Sequence, residues 1–223
     1  MNSMLAKKTI AAALTAISIT AGSAPAFACG GEWYPIMQID PRIQGVDKAE
    51  DKLDDGHTLA AAGSVIRMIP HIKTLSPTKT KLIQRANRVL AVAVARYDGA
   101  LPVGREVPEF VQGTWLGKTA ADRSANLEWA TKTLRAVAAA RNDDPAAKTE
   151  LAEVLARVDS TKAEARTILE ELAAKDLITS ADGYKTLATL RESAGDAEGK
   201  RAAIERCKTM AHGDVCEAKS IST

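Results

Sequence analysis

The sequence predicts an all-α fold, a solenoid of about four helical hairpins interrupted by one Pro/Gly-rich insertion. Three observations carry that expectation. Ala130, Leu134 and Val137 recur 35 residues later as Ala165, Leu169 and Leu172, and again 35 residues later as Lys200, Ile204 and Cys207. Within each set the spacing is four then three, one stripe of an α-helix. A second helical stripe precedes the last two sets, as Leu151, Ala152 and Leu155 and then as Leu187, Ala188 and Leu190. Two short helices per repeat cannot bury their apolar faces alone, so stacked neighbours must share the core. Composition agrees: alanine is abundant and aromatics make up 4% of the chain, which suits closely packed helices.

Residues 1–28 read as a secretory signal peptide. Lys7 and Lys8 form a basic start, Ile10 to Ile19 an apolar run, and Ala26-Phe27-Ala28 a small-x-small cleavage site. The run is too short for a membrane span, which needs ~20 apolar residues. Cleavage between Ala28 and Cys29 removes two lysines and no acid, leaving 28 basic against 28 acidic residues. A neutral surface offers no footprint for a phosphate backbone, so no nucleic-acid partner is expected. The expected location is the periplasm, or the outer membrane as a lipoprotein.

That last choice turns on Cys29. Ala28-Cys29-Gly30 resembles the end of a bacterial lipobox, although the usual leucine three residues before the cysteine is missing. The same residues read equally well as an ordinary cleavage site leaving a free N-terminal Cys29, so lipidation and a plain terminus stand side by side. In an oxidising compartment Cys207 and Cys216 form the economical pair. Their bridge closes a ten-residue loop and contributes roughly 2.5–3 kcal/mol in the chain-entropy model. A zinc site at Cys207, His212 and Cys216 lacks a fourth ligand.

Residues 29–46 form a lead expected to be extended, with Pro35 and Pro41 blocking helix and Trp33 and Tyr34 either docked or presented to a partner. The repeat domain covers 47–211. Its first hairpin runs from Asp47 to Pro70, with Ala49 and Leu53 on one helix, Gly56 at the turn, and Ala61, Val65 and Met68 on the second. Thr78 to Tyr97 is one long helix, and its partner, Ala120 to Arg141, follows only after the insertion at 100–119, which carries Phe110 and Trp115. Those aromatics either cap the core or bind a partner. Pro145 to Asp176 makes the third hairpin, opened by Asp143-Asp144-Pro145, and Thr179 to Ala211 the fourth, capped by Thr179 or Ser180. Residues 212–223 are a tail.

Ala49, Gly56, Ala61, Val65 and Met68 fall in order on the characteristic small, turn and apolar positions of the tetratricopeptide repeat, which this chain therefore resembles. The resemblance covers about Asp47 to Ala211. It is loose in the third unit, where Val158-Asp159 replaces the turn glycine, and in the fourth, where Lys200 replaces alanine. It implies a right-handed solenoid with a concave groove that holds a protein or peptide.

No catalytic residue, metal site or cofactor is expected. His57, His71 and His212 lack ligand spacing, and neither a phosphate loop nor a nucleophile elbow occurs. Asp54 and Asp55 beside His57 read as a solvated turn. Lys148-Thr149-Glu150, and Glu170 and Glu171 with Lys175, read as exposed charged helix faces. The expected function is an exported adaptor for a protein or peptide partner. The alternative is a small-molecule or glycan-binding module using Phe110 and Trp115.

Overall fold

Helix starts in this chain are set by short polar side chains that accept the unpaired N–H groups of a first turn. Asp40 caps α1 (Pro41–Asp54), Thr80 caps α3 (Lys81–Arg96), and Asp144 caps α5 (Pro145–Leu155). Thr119 and Asp122 form a reciprocal capping box on α4 (Ala120–Ala140). Ser180 caps α7 (Ala181–Ser193) and Asp196 caps α8 (Ala197–Met210). The two remaining helices, α2 (Thr58–Met68) and α6 (Lys162–Ala174), have no side-chain cap. This computed structural model describes residues 40–97, 119–142, 144–211 and 214–216, which lie in one unit, Ile39–Thr223.

Helix ends are set by backbone freedom. Gly56 (φ +78°) and Gly195 (φ +77°) take the left-handed conformation after α1 and α7, as the two turn motifs predict. Asn142 and Asp176 take it after α4 and α6, with φ of 53° and 54°. The third hairpin therefore turns without glycine at Val158-Asp159, through a short 3-10 segment, Asp159–Thr161.

Among the described residues the fold is all-α, eight helices packed neighbour to neighbour in adjacent pairs. α1 pairs with α2, α3 with α4, α5 with α6 and α7 with α8. Each first helix also touches the next first helix, α1 on α3, α3 on α5 and α5 on α7. Ala130, Leu134, Val137, Ala165, Leu169 and Leu172 are all buried, as are Leu151, Ala152, Leu155, Leu187, Ala188 and Leu190. Each large one contributes roughly 1.5–3 kcal/mol by leaving water.

Three expectations need correction. Pro41 does not block helix: it occupies the first turn of α1, where its missing N–H has no partner to lose and its fixed φ is already helical. The extended lead therefore stops at Asp40, and Val46 is core. In the last repeat set only Cys207 is fully buried. Lys200 and Ile204 are half-buried, and Ala203 takes the inward place. Among the described residues α8 is the last helix and packs chiefly on α7 and the 3-10 turn Asp214–Cys216, so less of it is covered, and Lys200 reaches back to Glu192. Met68 is exposed rather than core, lying over Gly45, where a Cβ would stand 2.6 Å from its Cγ.

Cys207 and Cys216 are joined by a disulfide, with both residues buried. The bridge ties the Asp214–Cys216 turn onto α7 and α8 and removes the sulfurs a zinc site would need.

Candidate functional site

α5 decides the chemistry of the site. Every residue from Thr149 to Leu155 is buried, because α3, α4, α6 and α7 enclose the helix. An enclosed helix has no solvent face on which to place charge. The reading of Lys148-Thr149-Glu150 as an exposed face is therefore overturned: Thr149 is fully buried and Glu150 is 5% exposed. Glu153, one turn on, is 3% exposed. Buried carboxylates need partners, and α3 supplies them.

Arg88 sends its Nε to both oxygens of Glu150 at 2.8 Å, and its Nη1 reaches Glu50 of α1 at 3.4 Å. Arg96 grips Glu153 with Nε at 2.7 Å and Nη2 at 3.0 Å, in the two-pronged geometry that suits guanidinium to carboxylate. Its Nε also lies 3.3 Å from Asp182 at the start of α7. Arg85 donates to Glu50 at 3.1 Å and also pairs with Asp47. Ser180 completes the seam: its hydroxyl donates to Glu153 at 2.7 Å while accepting the N–H of Gly183 at 2.9 Å. The first helices are thus bridged by a ladder of ion pairs in two groups, one joining α1, α3 and α5 and the other joining α3 to α5 and α7.

Gly183 makes the close approach of α5 and α7 feasible. A Cβ there would stand 2.5 Å from Thr149 Cγ2 and 2.9 Å from Ile178 Cγ2, so a larger residue would push the two helices apart.

Burial works against the charges on Arg88 and Arg96, but their carboxylate partners outweigh it and hold both guanidiniums above their ordinary pKa. Burial pushes the Glu153 carboxyl upward, against the pull of Arg96. The site is built around fixed opposite charges.

Beside the ladder lies a cleft of about 330 Å³. Asp54, Arg88, Arg96, Glu150 and Asp182 line it, and Met210 and Val215 form an apolar wall. The disulfide holds that wall, because Val215 precedes Cys216. His57 caps no neighbouring charge and lies exposed at the first turn, as expected for a solvated position. Among the described residues no group of three or more His, Cys, Asp or Glu stands where it would hold a metal.

Ala28, Cys29, Trp33, Tyr34, Phe110, Trp115 and His212 lie outside the described residues. The aromatic residues that are described pack against cations. Arg123 lies 5.5 Å from the ring centre of Tyr97, and Arg206 lies 5.7 Å from that of buried Tyr184. Lys73 Nζ stands 5.2 Å from the ring centre of Trp129 and donates to Asn126 at 2.6 Å. Burial pulls the Lys73 ammonium down to a pKa of about 8.

The ladder was missed in the sequence because charged residues read as solvent-facing. One signal pointed to it: Glu50 and Arg85, which pair, are opposite charges 35 residues apart, the same interval as the apolar repeat. No protein-family model, curated protein or solved structure matches the chain.

Proposed function

We propose that this chain is an exported, non-catalytic adaptor, a right-handed solenoid of four tetratricopeptide-like hairpins that holds a protein or peptide partner across the row of its first helices. One observation carries the reading: α1, α3, α5 and α7 pack on one another in sequence, while each is covered by its own second helix. Stacking of this kind leaves one extended surface that no single hairpin could build, and repeat arrays bind along such surfaces. The cleft bordered by Asp54 at one end of the row and by Asp182 and Val215 at the other lies on it. Acids and bases there are already committed to one another, which suits recognition better than proton transfer. The signal-peptide pattern and the Cys207–Cys216 bridge support an oxidising, extracytoplasmic location. Cys29, if acylated, would tether the adaptor to a membrane.

The test is affinity purification of the native protein after cross-linking in the cell envelope. The proposal expects one partner protein in stoichiometric yield. Recovery of the protein alone from well-controlled cross-linking would overturn it.

A further inference from the structure

We infer that the Cys207–Cys216 disulfide is a redox-sensitive latch on the cleft beside the ion-pair ladder: only the oxidised chain holds Val215 in the cleft wall. The turn Asp214–Cys216 follows α8 and packs on α7 and α8. Val215 is half-buried and lines the cleft together with Met210. Met210 is the last residue of α8 and is carried by that helix, whereas Val215 is carried by the turn. Cys207 is fully buried and Cys216 is 5% exposed.

Packing and the bridge are the two attachments of the turn. Among the described residues neither Val215 nor Cys216 forms a hydrogen bond or ion pair with α7 or α8. One half-buried valine and one buried cysteine leave water, while three backbone units must be ordered. Ordering each unit costs about as much as burying one small apolar side chain returns, so packing alone does not hold the turn down. The bridge closes a ten-residue loop, which in the chain-entropy model favours the closed arrangement by roughly a hundredfold. The covalent bond therefore decides whether Val215 stands in the wall.

Opening the latch is a two-electron exchange with a dithiol reductant. A thiolate of the reductant attacks Cys216, the more accessible sulfur, and Cys207 leaves as a thiolate. The second thiolate of the reductant then displaces Cys216 from the mixed disulfide. The reductant ends as a disulfide and both cysteines end as thiols, their protons supplied by the reductant. Cys207 stays in the core as a small apolar thiol, so α7 and α8 keep their packing through Tyr184, Leu187 and Ala203. Val215 and Cys216 go to solvent, and one wall of the cleft goes with them. A chain that has not yet been oxidised is in the same open state. The wall is gained or lost whether or not a protein partner uses the cleft.

The experiment is nitrogen-15 relaxation of the full mature chain, oxidised and then reduced with dithiothreitol, read as backbone order parameters. Val215 is expected at ~0.85 in the oxidised chain and below ~0.6 after reduction, the rigid and flexible ranges of a backbone. Leu187 and Ala203, on α7 and α8, should stay rigid in both states. Cys207→Ala with Cys216→Ala, measured without reductant, should match the reduced chain. Alanine keeps a small apolar residue at the core position, and the pair separates loss of this bridge from any other action of the reductant. A rigid Val215 in the reduced chain or in the double variant, or a flexible one in the oxidised chain, would overturn the latch. Loss of order at Leu187 and Ala203 together with Val215 would overturn it too, since the bridge would then hold up the hairpin rather than one wall.

Discussion

Two kinds of seam hold this protein together, and their chemistry differs. Within a hairpin the contact is apolar: α7 and α8 meet through Tyr184, Leu187, Ala188, Ala203 and Cys207. Between the first helices ion pairs are added in two groups, Glu50, Arg88 and Glu150 in one and Glu153, Arg96 and Asp182 in the other. Apolar burial is non-directional and tolerates small shifts of one helix past another. A two-pronged guanidinium–carboxylate pair is directional and fixes register, so the ionic seam sets how each hairpin sits on the next. The same polarity makes the row of first helices a surface with charge to offer.

The largest expected effect separates the two seams. Glu153→Ala leaves the buried Arg96 with Asp182 as its remaining pair, and should lower stability by about 3–5 kcal/mol in urea unfolding. Replacing both partners, Arg96→Met with Glu153→Leu, should restore most of the loss, since desolvating the pair offsets much of its attraction. If the double replacement is as damaging as the single one, the ionic seam contributes more than register. Leu169→Ala tests the apolar seam and should cost about 2–5 kcal/mol, with the loss set by how far α6 collapses into the gap. A loss under about 1 kcal/mol would show that α6 is not part of the common core.

A smaller effect comes from outside both seams. Arg135 and Glu164 pair at 2.6 Å on the surface between α4 and α6, with side chains 46% and 39% exposed. Arg135→Ala should change stability by no more than about 1 kcal/mol. A separate effect, read against pH, comes from Lys73. The unfolded chain keeps this proton to an ordinary pKa of 10.5, and the folded chain releases it near 8. In that window the unfolded state binds more protons, so stability rises with pH and is lost as pH falls through about 8. Lys73→Met should remove that rise, read as the difference in urea midpoint between the two ends of the window.

Both the apolar seam and the hairpin turns were legible in the sequence. Burial leaves a period, and Leu151, Leu155, Leu169 and Leu187 display it; Gly56, Gly195, Asp144 and Ser180 declare their turns and caps by residue type. Pro41 was misread because proline blocks a helix interior and favours a helix start, and residue type alone does not say which. The ionic seam was not legible. Whether Glu150 and Glu153 meet water or Arg88 and Arg96 depends on α5 being enclosed by four other helices, a fact of tertiary packing that local spacing does not encode. Lys200 shows the converse: its place in the 35-residue register predicts core, but among the described residues no later hairpin packs on α8 to cover it.

The central claim is that the partner lies along the row of first helices. Its most direct test is site-specific photo-cross-linking in the native envelope from two positions, Asp54 at the cleft and Glu171 on the exposed side of α6. The account predicts a covalent adduct to one protein from position 54 and none from position 171. Adducts from 171 with none from 54 would contradict it.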